Sequence, residues 1–152
     1  MIQAIDHLNI VVSDLERSLE FYTGLLDFKL TRRAELEGDW IERIVGLQGV
    51  KARVAYIRAQ GGEPRIELLQ YLSPAGKSLG ENSFANTIGL RHIALRVDDI
   101  DQAAQKLHDA GVKLFSEPAA VPAAVVEHDA GRKTLLYFTD PDGVILELAQ
   151  YL

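Results

Sequence analysis

Between Ile5 and Val12 the chain alternates: Leu8, Ile10 and Val12 stand on one face and His7, Asn9 and Val11 on the other, the period of a half-buried strand. Helical spacing follows in Leu15, Leu19, Tyr22 and Leu26, behind Ser13 and Glu16 at the separation of a capping box. The spacing predicts a helix of about ten residues ending near Gly24. Apolar runs predict strands over 52–59 and 65–71, separated by a turn at Gly61-Gly62 that carries no dinucleotide fingerprint.

The same plan occurs twice. Asp6-His7-Leu8-Asn9-Ile10-Val11-Val12-Ser13-Asp14-Leu15 aligns with Arg91-His92-Ile93-Ala94-Leu95-Arg96-Val97-Asp98-Asp99-Ile100 at an offset of 85. Glu67-Leu68-Leu69-Gln70-Tyr71-Leu72 aligns with Glu147-Leu148-Ala149-Gln150-Tyr151-Leu152 at an offset of 80, so the first copy carries a longer loop. The copies span about residues 1–80 and 86–152, with a linker rich in turn formers from Ser73 to Lys77 and a polar stretch to Thr87. In the second copy Asp98 takes the capping place, and Ile100, Ala103, Ala104 and Leu107 form the apolar stripe. Gly111 stops the helix there. Strands over 134–139 and 144–151 flank a Pro141-Asp142-Gly143 turn, which makes each half β-α-β-β with room for one more strand. These elements predict a single 152-residue domain of α+β class built from two repeats.

Each copy sets a histidine on the mixed face of its first strand and a glutamate inside an apolar last strand: His7 with Glu67, His92 with Glu147. An ionised carboxylate in such a strand costs several kcal/mol unless a cation or strong donors compensate it. One lone His or Glu is most often a hydrogen-bonded or solvated residue; two such pairs at matching positions of a duplicated unit point instead to a shared metal. Two imidazole nitrogens and two carboxylates suit one divalent Ni, Co, Zn, Fe or Mn ion per chain.

The openings around His7 and His92, with the closing Asp140-Pro141-Asp142-Gly143-Val144-Ile145-Leu146-Glu147-Leu148, resemble the vicinal oxygen chelate superfamily over essentially the whole chain. That superfamily includes glyoxalase I, methylmalonyl-CoA epimerase, extradiol dioxygenases and the fosfomycin- and bleomycin-resistance proteins. The resemblance implies two tandem βαβββ modules curled into a cup, a homodimer, and metal ligands at His7, Glu67, His92 and Glu147. It implies a metal-dependent lyase or isomerase that removes a proton next to a carbonyl and stabilises the enolate on the metal, with Glu147 and Glu67 as candidate bases and Glu147 favoured. Leu72-Ser73-Pro74 and Gly89-Leu90-Arg91-His92 are most similar to the epimerases, yet those carry Gln where this chain has Glu67. Ala52 falls where their second catalytic carboxylate would stand. A non-catalytic small-molecule-binding or resistance protein is the alternative. An Fe(II) extradiol dioxygenase ranks third, because four protein ligands leave two of six positions where ring cleavage needs three.

Composition narrows the setting. With 16 Lys and Arg against 22 Asp and Glu, a net charge of −6 and no basic stripe, nucleic acid is excluded as the expected partner, and a small-molecule substrate takes its place. There is no cysteine, so thiolate ligands and disulfides are ruled out, and no leader or 18-residue apolar span is seen, from which a cytoplasmic protein away from the membrane is expected. His108 and His128 have no counterpart in the other half and read as surface residues. Tyr71 and Tyr151 should share a face with the glutamates. Arg96 reads first as a surface salt bridge and second as a contact for an anionic substrate group. Trp40 reads as core packing or part of a lid.

Overall fold

The computed structural model describes residues 1–78, 84–125 and 131–152, and the chain divides into two compact units, Met1–Ser78 and Leu79–Leu152. The first unit runs β1 (His7–Val11), α1 (Leu15–Leu19), β2 (Lys29–Glu37), α2 (Asp39–Val45), β3 (Lys51–Ala59) and β4 (Gly62–Ser73). The second runs β5 (His92–Arg96), α3 (Ile100–Asp109), β6 (Ala119–Val121), β7 (Lys133–Thr139) and β8 (Ile145–Tyr151). Each unit holds one four-stranded mixed sheet, ordered β1-β4-β3-β2 and β5-β8-β7-β6, with the first strand parallel to the last and the other pairs antiparallel. The α+β class and the repeated β-α-β-β-β plan are thus present, with β2 and β6 in the place left for one more strand and α2 added between β2 and β3.

The two faces of each sheet differ because β-strand side chains alternate. In the first unit Ile57, Ile66 and Leu68 bury one face together with Leu15, Leu19 and Tyr22 from the helical segment packed on β3 and β4. In the second, α3 packs on β8, and Ile100 and Leu107 are buried with Leu136, Phe138, Leu146 and Leu148. The opposite faces carry His7, Asn9 and Glu67 in one unit and Ala94 and Glu147 in the other, as the registers Asn9↔Glu67 and Ala94↔Glu147 require.

Both helix starts lie one residue later than expected. Asp14, not Ser13, caps α1 by accepting from the Glu16 and Arg17 amides, and Asp99, not Asp98, caps α3 by accepting from the Gln102 amide. A carboxylate on an extended residue reaches the free amides of the first turn directly. Glu16 is then released to pair with Arg33 at 2.6 Å, so no capping box forms. The first helical segment ends at Leu25, next to the expected end near Gly24, with its second half widened into a π-helical stretch, Glu20–Leu25. The Gly111 stop is present with φ +74°. Asp140 holds the turn between β7 and β8 by accepting from the Asp142 and Val144 amides at 2.9 and 2.8 Å.

The repeated glutamines explain part of the duplication. Gln70 accepts from the Leu15 amide and donates to the Ser13 carbonyl, and Gln150 does the same with Ile100 and Asp98. Each one ties the strand-to-helix junction of its unit to its last strand. Residues 39–45 form α2, which covers part of the polar face of the first sheet through Ile41, against Val50, Val54 and Leu69. Trp40 lies on the outer side of that helix, half exposed, so it is not a core residue. Among the described residues no helix is long and apolar enough to cross a membrane.

Candidate metal centre

His7 opens β1 directly after Asp6, and its Nδ1 lies 2.7 Å from Asp6 Oδ2. A carboxylate can only accept, so the proton of a neutral His7 sits on Nδ1 and the Nε2 lone pair is left for a cation. Arg65 donates to the same Asp6 oxygen at 2.6 Å, which fixes the orienting carboxylate in turn. His7 Nε2 stands 3.6 Å from Glu67 Oε2. The hydrogen bond to His7, with the Arg65 charge beside it, holds the Asp6 carboxyl below its ordinary range.

Glu67 is held at both oxygens by neutral donors, the Tyr56 hydroxyl at 2.8 Å on Oε1 and the Asn9 amide at 2.7 Å on Oε2. Burial, and then the hydrogen bond to Glu67, push the Tyr56 phenol up, so Tyr56 stays a donor throughout the neutral range.

In the second unit His92 Nε2 stands 3.4 Å from Glu147 Oε2, and Glu147 is only 5% exposed. The Tyr137 ring lies 5.0 Å from the His92 ring and pairs in register with Glu147, as Tyr56 does with Glu67. Burial and the Glu147 charge push the Tyr137 phenol up as well. The surroundings of the two glutamates then diverge. Glu147 Oε1 has no donor in hydrogen-bond geometry, and the Lys133 ammonium lies 3.1 Å away from it. Burial presses Lys133 towards neutrality, but its contacts with Glu147 and Tyr151 outweigh this and hold its pKa above the ordinary lysine value.

The four residues singled out from sequence thus form two His–Glu pairs, one per unit. Among the described residues no three His, Cys, Asp or Glu side chains gather as a metal set. The donor types fit a divalent cation: each histidine presents Nε2 towards a shielded carboxylate, and Glu147 keeps a buried oxygen without an aligned donor.

Sequence reasoning missed Tyr56 and Tyr137, although they recur at an offset of 81, almost that of the glutamates. It also missed Asp6 and Lys133, which have no counterpart of their own kind: Arg91 aligns with Asp6, and Ala52 shares with Lys133 the place opposite a tyrosine of the last strand. Tyr71 does share the Glu67 face but packs against the α2 cluster, and Tyr151 lies between Arg96 and Lys133. Among the described residues Arg96 makes no salt bridge; its guanidinium stands 5.3 Å from the centre of the Tyr151 ring. His108 is exposed beside Asp109, and His128 lies outside the described residues.

Known proteins share this plan. The chain is 31% identical over 150 residues to a 2-epi-5-epi-valiolone epimerase from Actinomyces sp., covering 95% of this chain and 78% of that protein. It is likewise 31% identical over 145 residues to a probable lactoylglutathione lyase from Synechocystis sp., covering 95% and 92%. The crystal structure of a glyoxalase family protein from Bacillus cereus superposes with a TM-score of 0.84 at 27% identity, covering 100% of this chain and 96% of that one. Residues 4–148 match the family described as the Glyoxalase/Bleomycin resistance protein/Dioxygenase superfamily, and the chain belongs to that superfamily.

Proposed function

We propose that the protein is a metal-dependent lyase or isomerase of the glyoxalase or epimerase type, with His7, Glu67, His92 and Glu147 holding one divalent cation. The observation that carries this reading is the repeated His–Glu pair with a tyrosine in register beside each glutamate. When bound, the cation supplies Lewis acidity that polarises a substrate carbonyl and makes the neighbouring C–H acidic. Ni, Co, Zn, Fe and Mn all suit the donor set.

The chain's own residues divide the remaining work. Glu147 is the favoured proton acceptor: the Lys133 ammonium 3.1 Å from its Oε1 keeps it ionised without an aligned hydrogen bond, while both oxygens of Glu67 are engaged by Tyr56 and Asn9. Glu67 is correspondingly the more firmly positioned of the two glutamates. Burial of Glu147 shields the transferred proton from bulk water. The relatives include a protein named as a lyase and one named as an epimerase, the two reaction types proposed.

The test is metal analysis of protein purified without added metal, with Glu147→Ala and His92→Ala beside it. About one transition-metal ion per chain in the parent and loss of it in both variants is the expected result. No metal as purified, and none bound after those cations are added, refutes the proposal and leaves a small-molecule-binding protein. Exchange of a substrate proton with solvent deuterium separates turnover from metal-dependent binding.

A further inference from the structure

The polar face of the first sheet carries an open groove of about 410 Å³ that begins at Tyr56. Its floor is apolar, with Ala34, Leu36 and Val54, and Arg32, Arg58 and Arg65 line it around the Tyr56 ring. Gathering three guanidiniums at one groove runs against the net charge of −6. The arrangement depends on a β-bulge. Leu30 pairs with Ile57 on the helix-covered face, and the register shift before Arg32 places Arg32 opposite Tyr56 on the other face. Without the extra residue at Thr31, alternation would keep Arg32 on the face of Leu30.

The three guanidiniums are not paired alike. Arg58 pairs with Glu63 at 2.8 Å, and Arg65 pairs with Asp6 at 2.6 Å while its guanidinium stands 5.4 Å from the Tyr56 ring centre. Arg32 forms no salt bridge among the described residues, so its guanidinium is the one at the groove without a carboxylate paired to it. Arg65 Nε also lies 3.9 Å from Glu63 Oε2, so Glu63 is shared between Arg58 and Arg65. The groove's size is that of a small-ligand site, and Tyr56 links its inner end to Glu67 through the 2.8 Å hydrogen bond.

We propose that this groove recognises an anionic arm, phosphate or carboxylate, of an organic substrate whose reacting end lies towards Tyr56 and Glu67. The proposal rests on the reading of Glu67 as part of the reaction site and adds the chemical class of the substrate. Arg32 provides the guanidinium without a salt bridge, and Arg58 and Arg65 complete the rim. Guanidiniums suit either anion, because their planar fork can donate two parallel hydrogen bonds to it.

The test is a titration of the metal-free protein with inorganic phosphate and, separately, with malonate, followed through the arginine Nε–Hε signals in nuclear magnetic resonance. Saturable shifts at Arg32, Arg58 and Arg65 are expected, and the anion that saturates at the lower concentration identifies the group. Arg32→Gln should raise the Kd at least tenfold. Arg53→Gln, which changes an arginine paired with Glu35 on the opposite face, should leave it within about twofold. Absence of saturable shifts, equal shifts at Arg53, or equal effects of the two variants overturns the proposal. Because the probes need no metal, failure of the metal reading registers separately in the metal content of the same preparation.

Discussion

Replacing Lys133 by methionine should move two properties in opposite directions. The Lys133 ammonium lies 3.1 Å from Glu147 Oε1, with the side chains 21% and 5% exposed. At that separation two unit charges attract by roughly 1.3 kcal/mol at the dielectric constant of water and by roughly 5 kcal/mol at an effective constant of 20. The partial exposure of the lysine favours the lower part of that range, and about 2 kcal/mol is a working value. In the metal-free protein the Lys133→Met variant would leave Glu147 buried beside no cation, lowering the unfolding free energy by about 2 kcal/mol. Metal binding at Glu147 gives up much of the lysine pairing in the parent protein and gives up none of it in the variant. The same 2 kcal/mol should then reappear as metal affinity tighter by about thirtyfold. Denaturant unfolding of the metal-free proteins and calorimetric titration with Zn²⁺ or Ni²⁺ measure the two effects. Lower stability with unchanged or weaker metal affinity would refute the competition between Lys133 and the cation.

Asp6→Asn removes the charge that fixes the Nδ1 proton of His7, and metal affinity should fall about tenfold, as competition against a metal-sensitive dye would show. Arg91 stands at the equivalent place before His92, so Arg91→Gln should have a much smaller effect in the same assay. Tyr56 and Tyr137 have phenol pKa values raised above the ordinary 10.0. A raised folded-state value favours the protonated form, so the stability the phenols contribute is complete below the unfolded value and is lost as pH rises through the folded values. Phenolate absorbance should show a late-titrating component that loses two groups in the Tyr56→Phe, Tyr137→Phe double variant, whose stability should also fall less steeply with alkaline pH; an unchanged late component in that variant would contradict this.

Much of the architecture was decided locally. The alternation around His7 and His92, the apolar stripes of α1 and α3 and the Pro141-Asp142-Gly143 turn are short-range consequences of side-chain periodicity and backbone preference, and duplication made each legible twice. The pairing of His7 with Glu67 and of His92 with Glu147 was legible for the same reason, since a repeat preserves the register that brings first and last strands together. Boundaries were less so: Asp14 competes with Ser13, and Asp99 with Asp98, for the same amides, and only the backbone dihedrals select between them.

What tertiary structure alone decided lies where the two copies differ or where alternation fails. Lys133 and Asp6 are ordinary surface charges in the sequence; strand pairing sets Lys133 against a buried glutamate, and the Arg65 contact locks Asp6 beneath His7. Arg32 would by alternation share a face with Leu30, but the bulge at Thr31 turns it into the groove beside Tyr56. Periodicity in a single chain records which positions are apolar. The partner of a charge far away in sequence, and the face on which a bulged strand places it, are set by the register between strands.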